Sequence, residues 1–182
     1  PFLLTLPLAA IVAGLVGMLL GFITLRVSGR YLSIVTLGFC EIARLVELNW
    51  YALTRGPLGI MNIPAPKVFG FAFETLTGKY YIVLILTVLV TVAVIRMIHS
   101  RTGRAISAIK SDQLAADVMG INVKRTKILV FVVASGIAGL AGGFYAHYIS
   151  FIDPTSFNYN KSIQIMSMAI LGGMGSIPGS II

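Results

Sequence analysis

Apolar positions in this chain come in long unbroken runs, where a soluble amphipathic helix would space them at every third or fourth residue. Residues 6–25 hold no charged residue in 20 positions. At about 1.5 Å of rise per residue, such a run matches a hydrocarbon core about 30 Å thick, which predicts a transmembrane helix. Residues 128–152 supply 25 more positions without Asp, Glu, Lys or Arg. Residues 80–95 supply 16 uncharged positions, slightly short for a span, with Lys79 and Arg96 placed to snorkel at the two ends. Two further segments are expected to span. Residues 31–50 are apolar until Glu41, Arg44 and Glu47, and residues 162–182 are interrupted at 171–179 by four glycines and Pro178. That interruption predicts a broken helix or a tight turn at membrane depth, tolerated only where protein or a cavity covers it. The expected fold is therefore an all-α membrane protein, a polytopic helical bundle with about five transmembrane segments.

Small residues refine this picture. Gly14, Gly17 and Gly21 fall at helical spacing in the first run, and Ala134, Ser135, Ala138, Gly139, Gly142 and Gly143 do so in the run at 128–152. Gly17-x-x-x-Gly21 and Gly139-x-x-x-Gly143 are each expected to form a face on which another helix backbone approaches closely. Residues 54–78 contain Gly56, Pro57, Gly59, Pro64, Pro66, Gly70 and Gly78, a density that predicts a loop. Thr54 to Ile60 within it reads either as a tight turn or as an element exposing its backbone near a substrate. Residues 151–161, with Asp153-Pro154, predict a polar turn. His147 and Tyr148, near the end of an apolar run, are expected to be interfacial anchors, since no second His, Cys or carboxylate pattern indicates a metal site.

Composition agrees with the pattern: 57% of residues are hydrophobic, 11% are charged and the mean hydropathy is +0.94, whereas soluble domains are about 45–50% apolar. The formal charge is +8. Its cations cluster at the ends of apolar runs and are not interleaved with aromatics along a polar face, so the charge is read as topology and no nucleic-acid partner is expected. Residues 96–127 carry seven of the fourteen Lys and Arg against two Asp, a net +5. Short loops rich in Lys and Arg stay in the cytoplasm. Placing the basic stretch at Arg26 and Arg30 on that same side gives a consistent alternation of all five spans. The single cysteine, Cys40, cannot form an internal disulfide and is expected to be a buried thiol. Because the chain begins at Pro1 without a methionine and stops inside an apolar run, it is read as part of a longer protein.

Inside the basic loop, Ser111-Asp112-Gln113 reads as a helix start capped by the Ser111 hydroxyl and favoured by the Asp112 charge, and Gly120 reads as its stop. The eight-residue helix expected over 112–119 places Leu114, Ala115, Val118 and Met119 on one side. So short a helix is marginal alone in water. It is expected to dock, either on its own bundle or in the groove of a cytoplasmic partner, with a third possibility that it lies on the bilayer surface. Glu41, Arg44 and Glu47 share a helix face by their three-residue spacing, and Arg44 can pair with a carboxylate on either side. Charges at membrane depth should face protein or water, so this face either lines a pathway or anchors the helix end beside Trp50 and Tyr51.

The run Gly103-Arg104-Ala105-Ile106 through Asp112-Gln113-Leu114-Ala115-Ala116-Asp117-Val118-Met119-Gly120-Ile121-Asn122-Val123 resembles the cytoplasmic loop of the LivM-type permease subunits of branched-chain amino acid ABC transporters. Four other stretches resemble the same family in order: residues 31–39 with Glu41-Ile42-Ala43-Arg44, Gly56-Pro57-Leu58-Gly59-Ile60, residues 141–147, and Leu171-Gly172-Gly173-Met174-Gly175-Ser176. The resemblance implies a multi-pass permease domain over 1–182 in the cell (inner) membrane, with a cytoplasmic coupling loop at 96–127. Its implied partners are a second permease subunit, two cytoplasmic ATP-binding subunits and an extracytoplasmic substrate-binding protein. The implied activity is ATP-driven import of branched-chain or other small amino acids.

In ABC importers a short cytoplasmic helix with Ala-Ala-x-x-x-Gly inserts into the ATPase. Ala115, Ala116 and Gly120 match that pattern, so Asp112, Leu114, Ala115, Ala116 and Gly120 are the implied coupling residues. Thr36, Glu41, Arg44, Gly56 and Gly59 are the candidate pathway residues. Two departures stand out: Leu114 occupies a position where many importers have Glu, and Arg55 one where the family's Thr-Gly-Gly turn implies glycine. The chain shows no Walker motif, catalytic carboxylate pair or nucleophile–base set, so no enzymatic activity or cofactor of its own is expected, with ATP bound by the partner subunits. The competing expectation is an ion channel or secondary transporter subunit without an ATPase partner.

Overall fold

A computed structural model describes residues 2–25, 27, 30–65, 67–68, 71–72, 75–173 and 179. In chain order the elements are α1 (Phe2–Thr24), α2 (Arg30–Asn49), α3 (Tyr51–Thr54), a 3-10 turn (Gly56–Leu58), β1 (Ile60–Met61), β2 (Lys67–Val68) and β3 (Phe71–Ala72). These are followed by α4 (Leu76–His99), α5 (Arg101–Ser111), α6 (Gln113–Val118), α7 (Val123–Ile149), β4 (Phe151–Ile152), a second 3-10 turn (Pro154–Ser156) and α8 (Tyr159–Leu171). The fold is all-α and polytopic.

Among the described residues, α1, α4 and α7 are the helices long and apolar enough to cross a membrane. Helix α2 is continuous over 20 residues, as the span expected at 31–50 requires, but it carries Arg30, Glu41, Arg44 and Glu47. Helix α8 has 13 residues, about 20 Å at helical rise. It stops at Leu171, followed by Gly172 and by Gly173 at φ +93°. The chain thus turns where the glycine cluster begins, while 174–178 lie outside the described residues.

The chain divides into two compact units, Pro1–Ser28 with Pro64–Tyr148, and Gly29–Ile63 with Ile149–Ile182. In the first, α1 and α7 run antiparallel, backbone close to backbone. A Cβ placed on Gly14 would lie 3.6 Å from Val132, one on Gly21 3.4 Å from Ile128 and Phe131, and one on Gly143 3.2 Å from Ala9. Gly17 faces Ser135 and the Phe131 carbonyl, and Gly139 faces Ala9 and Ala13. The two small-residue faces expected separately are therefore each other's partner. A cluster of Phe2, Leu6 and Phe144, flanked by Ile82, Leu86 and Leu140, ties α4 to the same end. There Lys79 Nζ donates to the Tyr148 carbonyl at 3.1 Å. At the opposite end of these helices the chain passes from α4 through α5 and α6 into α7, and all seven cations of 96–127 lie on that stretch. Elsewhere the long helices turn their apolar side chains outward, with no residue of α4 buried. Such faces are stable only against lipid or further protein.

In the second unit β1 pairs antiparallel with β4, Ile60 opposite Ile152 and Met61 opposite Phe151. Asp153 accepts hydrogen bonds from the Ser156 and Thr155 hydroxyls, and these hold its carboxyl below the ordinary carboxylate value and fix the expected polar turn. Cys40 on α2, expected to be buried, is half-buried, with Ser162 Oγ of α8 3.9 Å from its sulfur.

Several boundaries differ from the sequence expectation. The loop expected through residue 78 ends at Thr75, because α4 absorbs Gly78 at the cost of about 1 kcal/mol that a helical glycine carries. Likewise α8 starts at Tyr159 and not at Ser162, since the Asn158 side chain caps it by accepting from the Lys161 N–H at 3.0 Å. The basic stretch, expected as a loop with one short helix, is mostly helical, with α5 added. Gly103 permits this: a Cβ there would collide with the Ile98 backbone at the tight bend between α4 and α5.

Candidate functional site

The coupling candidates sit on α6, a helix of six residues and not eight. Its cap is Asp112 and not Ser111. The Asp112 Oδ1 accepts from the Leu114 and Ala115 N–H groups at 2.8 and 3.1 Å, whereas the Ser111 hydroxyl donates to the Ser107 carbonyl inside α5. Both residue types cap well. The β-region backbone needed for a cap belongs here to Asp112, at φ −154° and ψ 117°.

Gly120 closes the helix as expected, at φ +82°. The Ile121 N–H donates to the Ala116 carbonyl at 3.0 Å and the Gly120 N–H to the Asp117 carbonyl at 3.0 Å, the paired bonds of a Schellman stop. The start is tied down too, because Gln113 Oε1 accepts from Lys127 Nζ of α7 at 2.9 Å.

Thus fixed at both ends, α6 divides its side chains sharply. Ala116 is buried, while Leu114, Val118 and Met119 are 80%, 87% and 82% exposed. Ala115 is exposed beside them. An apolar face of that size has no reason to meet water on a helix that spends its small residue inward. Of the five coupling candidates, Leu114 and Ala115 lie on this outward face, Ala116 anchors the helix from beneath, and Asp112 and Gly120 form its two ends.

The pathway candidates all lie in the second unit. Arg44 and Glu41 are brought together: the Arg44 guanidinium donates to both Glu41 carboxylate oxygens, Nε at 3.1 and 3.2 Å, and Nη2 pairs with Oε1. Thr36 stands on the same helix, half-buried, more than one turn earlier.

Gly56 and Gly59 are both buried, and each has a structural reason to be glycine. Gly56, at φ +58°, packs on the Leu48 carbonyl and the Tyr51 ring, and a Cβ on Gly59, at φ +66°, would collide with the Ile152 carbonyl oxygen. Thr54 Oγ1 accepts from the Gly56 N–H at 3.2 Å and closes the turn. Of the two readings of Thr54 to Ile60, this packing matches the tight turn.

Arg55, between them, is itself left-handed at φ +59° and ψ 17°. A left-handed non-glycine residue costs about 1–2 kcal/mol, while glycine adds about 0.5–1 kcal/mol of unfolded-chain entropy. Arg55→Gly is therefore expected to raise the full-length protein's stability by about 0.5–1 kcal/mol, read as a higher thermal midpoint. A lowered midpoint would mean that the exposed Arg55 side chain holds a contact worth more than the strain.

His147 differs from its expected role as an interfacial anchor, being 7% exposed. Its Nδ1 faces the Pro64 carbonyl at 2.7 Å and its Nε2 the Thr5 hydroxyl at 3.1 Å, with the Phe2 ring edge-on at 5.1 Å. A carbonyl only accepts, so Nδ1 carries the proton. No sequence signal points to this tie, since Thr5 and Pro64 lie 142 and 83 positions away.

Sequence comparison fits this architecture. A profile of the family described as "Branched-chain amino acid transport system / permease component" matches residues 1–182. The high-affinity branched-chain amino acid transport system permease protein LivM of Salmonella typhimurium (strain LT2) is 36% identical, over 94% of this chain and 46% of that protein. LivM of Escherichia coli (strain K12) is 35% identical over the same shares. The permease protein LivH of Salmonella typhimurium is 33% identical over 74% of this chain and 46% of that protein. The chain spans about half the length of these curated relatives, and no solved structure matches it. With the profile covering every residue, the chain belongs to the family of permease components of branched-chain amino acid transport systems.

Proposed function

We propose that the chain is part of a membrane-spanning permease subunit of an ATP-driven importer for branched-chain or other small amino acids. It works in the cell (inner) membrane with the α5–α6 stretch in the cytoplasm. The observation that carries this reading is α6, a capped and Schellman-closed helix whose Leu114, Val118 and Met119 stand at least 80% exposed at the basic end of three helices long and apolar enough to span. Such a helix suits insertion into a groove on a soluble partner, and motion imposed on it passes directly into α7 and, through α5, into α4.

ATP binding and hydrolysis belong to two cytoplasmic partner subunits, so this subunit is no enzyme and holds no cofactor of its own. A second permease subunit completes the membrane part, and an extracytoplasmic binding protein delivers the substrate. The pathway is assigned to α2 around Thr36 and the Glu41–Arg44 pair, whose charges need protein or water around them, with the tight Gly56–Gly59 turn, packed on the Leu48 carbonyl of the same helix, as its support. The test is reconstitution of the full-length permease with these partners. Uptake of labelled leucine into proteoliposomes should require both ATP and the binding protein. Concentrative uptake by the permease alone on an ion gradient would overturn the reading in favour of a secondary transporter.

A further inference from the structure

Beside the glycine seam of α1 and α7 runs an open groove of about 580 Å³. Its wall is apolar, formed by Met18 and Phe22 of α1 and Leu129 and Val132 of α7, and Lys124 and Arg125 stand at its mouth. A second hollow shares Met18 and Val132 with it and continues along the same two helices to Gly136. From Arg125 to Gly136 is about 17 Å at helical rise, close to the ~15 Å depth of one leaflet's hydrocarbon.

We infer that this groove is a binding site for an anionic phospholipid, with one acyl chain laid along α1 and α7 and the phosphate held by Lys124 and Arg125. Both walls belong to helices long and apolar enough to span, which puts the groove at membrane depth. Among the described residues its lining includes two cations and no acidic residue, so the mouth attracts a negatively charged head and a neutral one gains less. An Arg forks a phosphate bidentately and a neighbouring Lys adds a point charge. Lys127, on the same turn, is already engaged by Gln113, which leaves the Lys124–Arg125 pair as the head-group contacts. The positive end of the α7 dipole adds to the field of the same pair, while the Arg125 N–H itself is taken by Asn122 Oδ1 at 3.0 Å. A protein helix seated here would have to bring a carboxylate to the mouth, whereas an anionic lipid carries its charge where the two cations stand.

The experiment is native mass spectrometry of the full-length permease, stripped of lipid and back-titrated with phosphatidylglycerol or with phosphatidylcholine of the same chains. Wild type should retain phosphatidylglycerol selectively, and K124Q/R125Q should lower that retention by about tenfold or more. The control R101Q/K110Q should leave it unchanged. Leu129→Trp, which fills the apolar part with both cations in place, should also reduce retention. The inference is overturned by equal retention of the two lipids, by undiminished binding in K124Q/R125Q, or by displacement of the lipid with inorganic phosphate, which would mark a free-anion site. Exclusive cross-linking of a Met18→Cys probe to polypeptide would overturn it in favour of a protein occupant.

Discussion

In the full-length permease assembled with its ATPase subunits, Leu114→Arg and Val118→Arg are each expected to lower ATP-driven uptake by about tenfold or more, the cost of losing one apolar anchor at an interface. The quantity of permease in the membrane should not change. Both side chains are at least 80% exposed, so an arginine there disturbs nothing within the chain and acts only where a partner covers the face. Ala116→Arg is a poorer probe, because Ala116 is buried and a charge forced beneath α6 would dislodge the helix whatever its partner. Gly120→Arg strains a left-handed residue at φ +82° and is confounded in the same way. Conservative Leu114→Met and Val118→Ile should retain uptake. Wild-type uptake by both arginine variants would remove α6 from the coupling path, and loss of the permease from the membrane would assign the face to assembly.

Why α6 was legible and its neighbour was not follows from how each is specified. Asp112 and Gly120 act locally, through bonds to residues two to four positions away, so a cap and a stop can be seen in the sequence even when Ser111 and Asp112 compete for one role. The uncharged runs behind α1 and α7 are equally local, since lipid selects them by composition alone. Helix α5 is hidden in the sequence by its polarity and by Gly103, a poor helix former. Its apolar Ala105, Ile106 and Ile109 do recur at helical spacing, but the reason for Gly103 lies in the Ile98 backbone pressed against it.

Other features depend on partners far along the chain. The pairing of β1 with β4 and the burial of Gly59 rest on residues 151–153, and the burial of His147 rests on Thr5 and Pro64. Arg55 is instructive in the opposite direction. The resemblance marked it as standing where a glycine belongs, and its left-handed backbone supplies the physical reason. For the Glu41–Arg44 pair, spacing foretold the contact, but a helix with charges every three residues reads alike whether it lines a pathway or anchors an end.

The α1–α7 seam carries the second large effect. Gly139→Leu is expected to destabilise the full-length protein by about 2 kcal/mol, within the range of ~1–3 kcal/mol for overpacking, a fall of roughly 2–4 °C in thermal midpoint for a chain about twice this length. A Cβ at Gly139 already lies 2.5 Å from the Ala9 carbonyl oxygen and 2.6 Å from the Ala13 Cβ. Backbone is the obstacle, so the helices must part. Leucine's better helix propensity returns only about 0.8 kcal/mol, too little to offset the collision. Gly142→Leu makes the decisive comparison, because a Cβ there meets nothing within 4 Å and the same propensity gain should leave that variant as stable as wild type or better. The Thr5–His147 hydrogen bond joins α1 and α7 at one end only, and along the rest of the seam close approach of small residues keeps them together in lipid. An undiminished midpoint for Gly139→Leu would show that the helices pack on another face. Equal losses at both positions would mean that a further helix of the longer protein sits on Gly142.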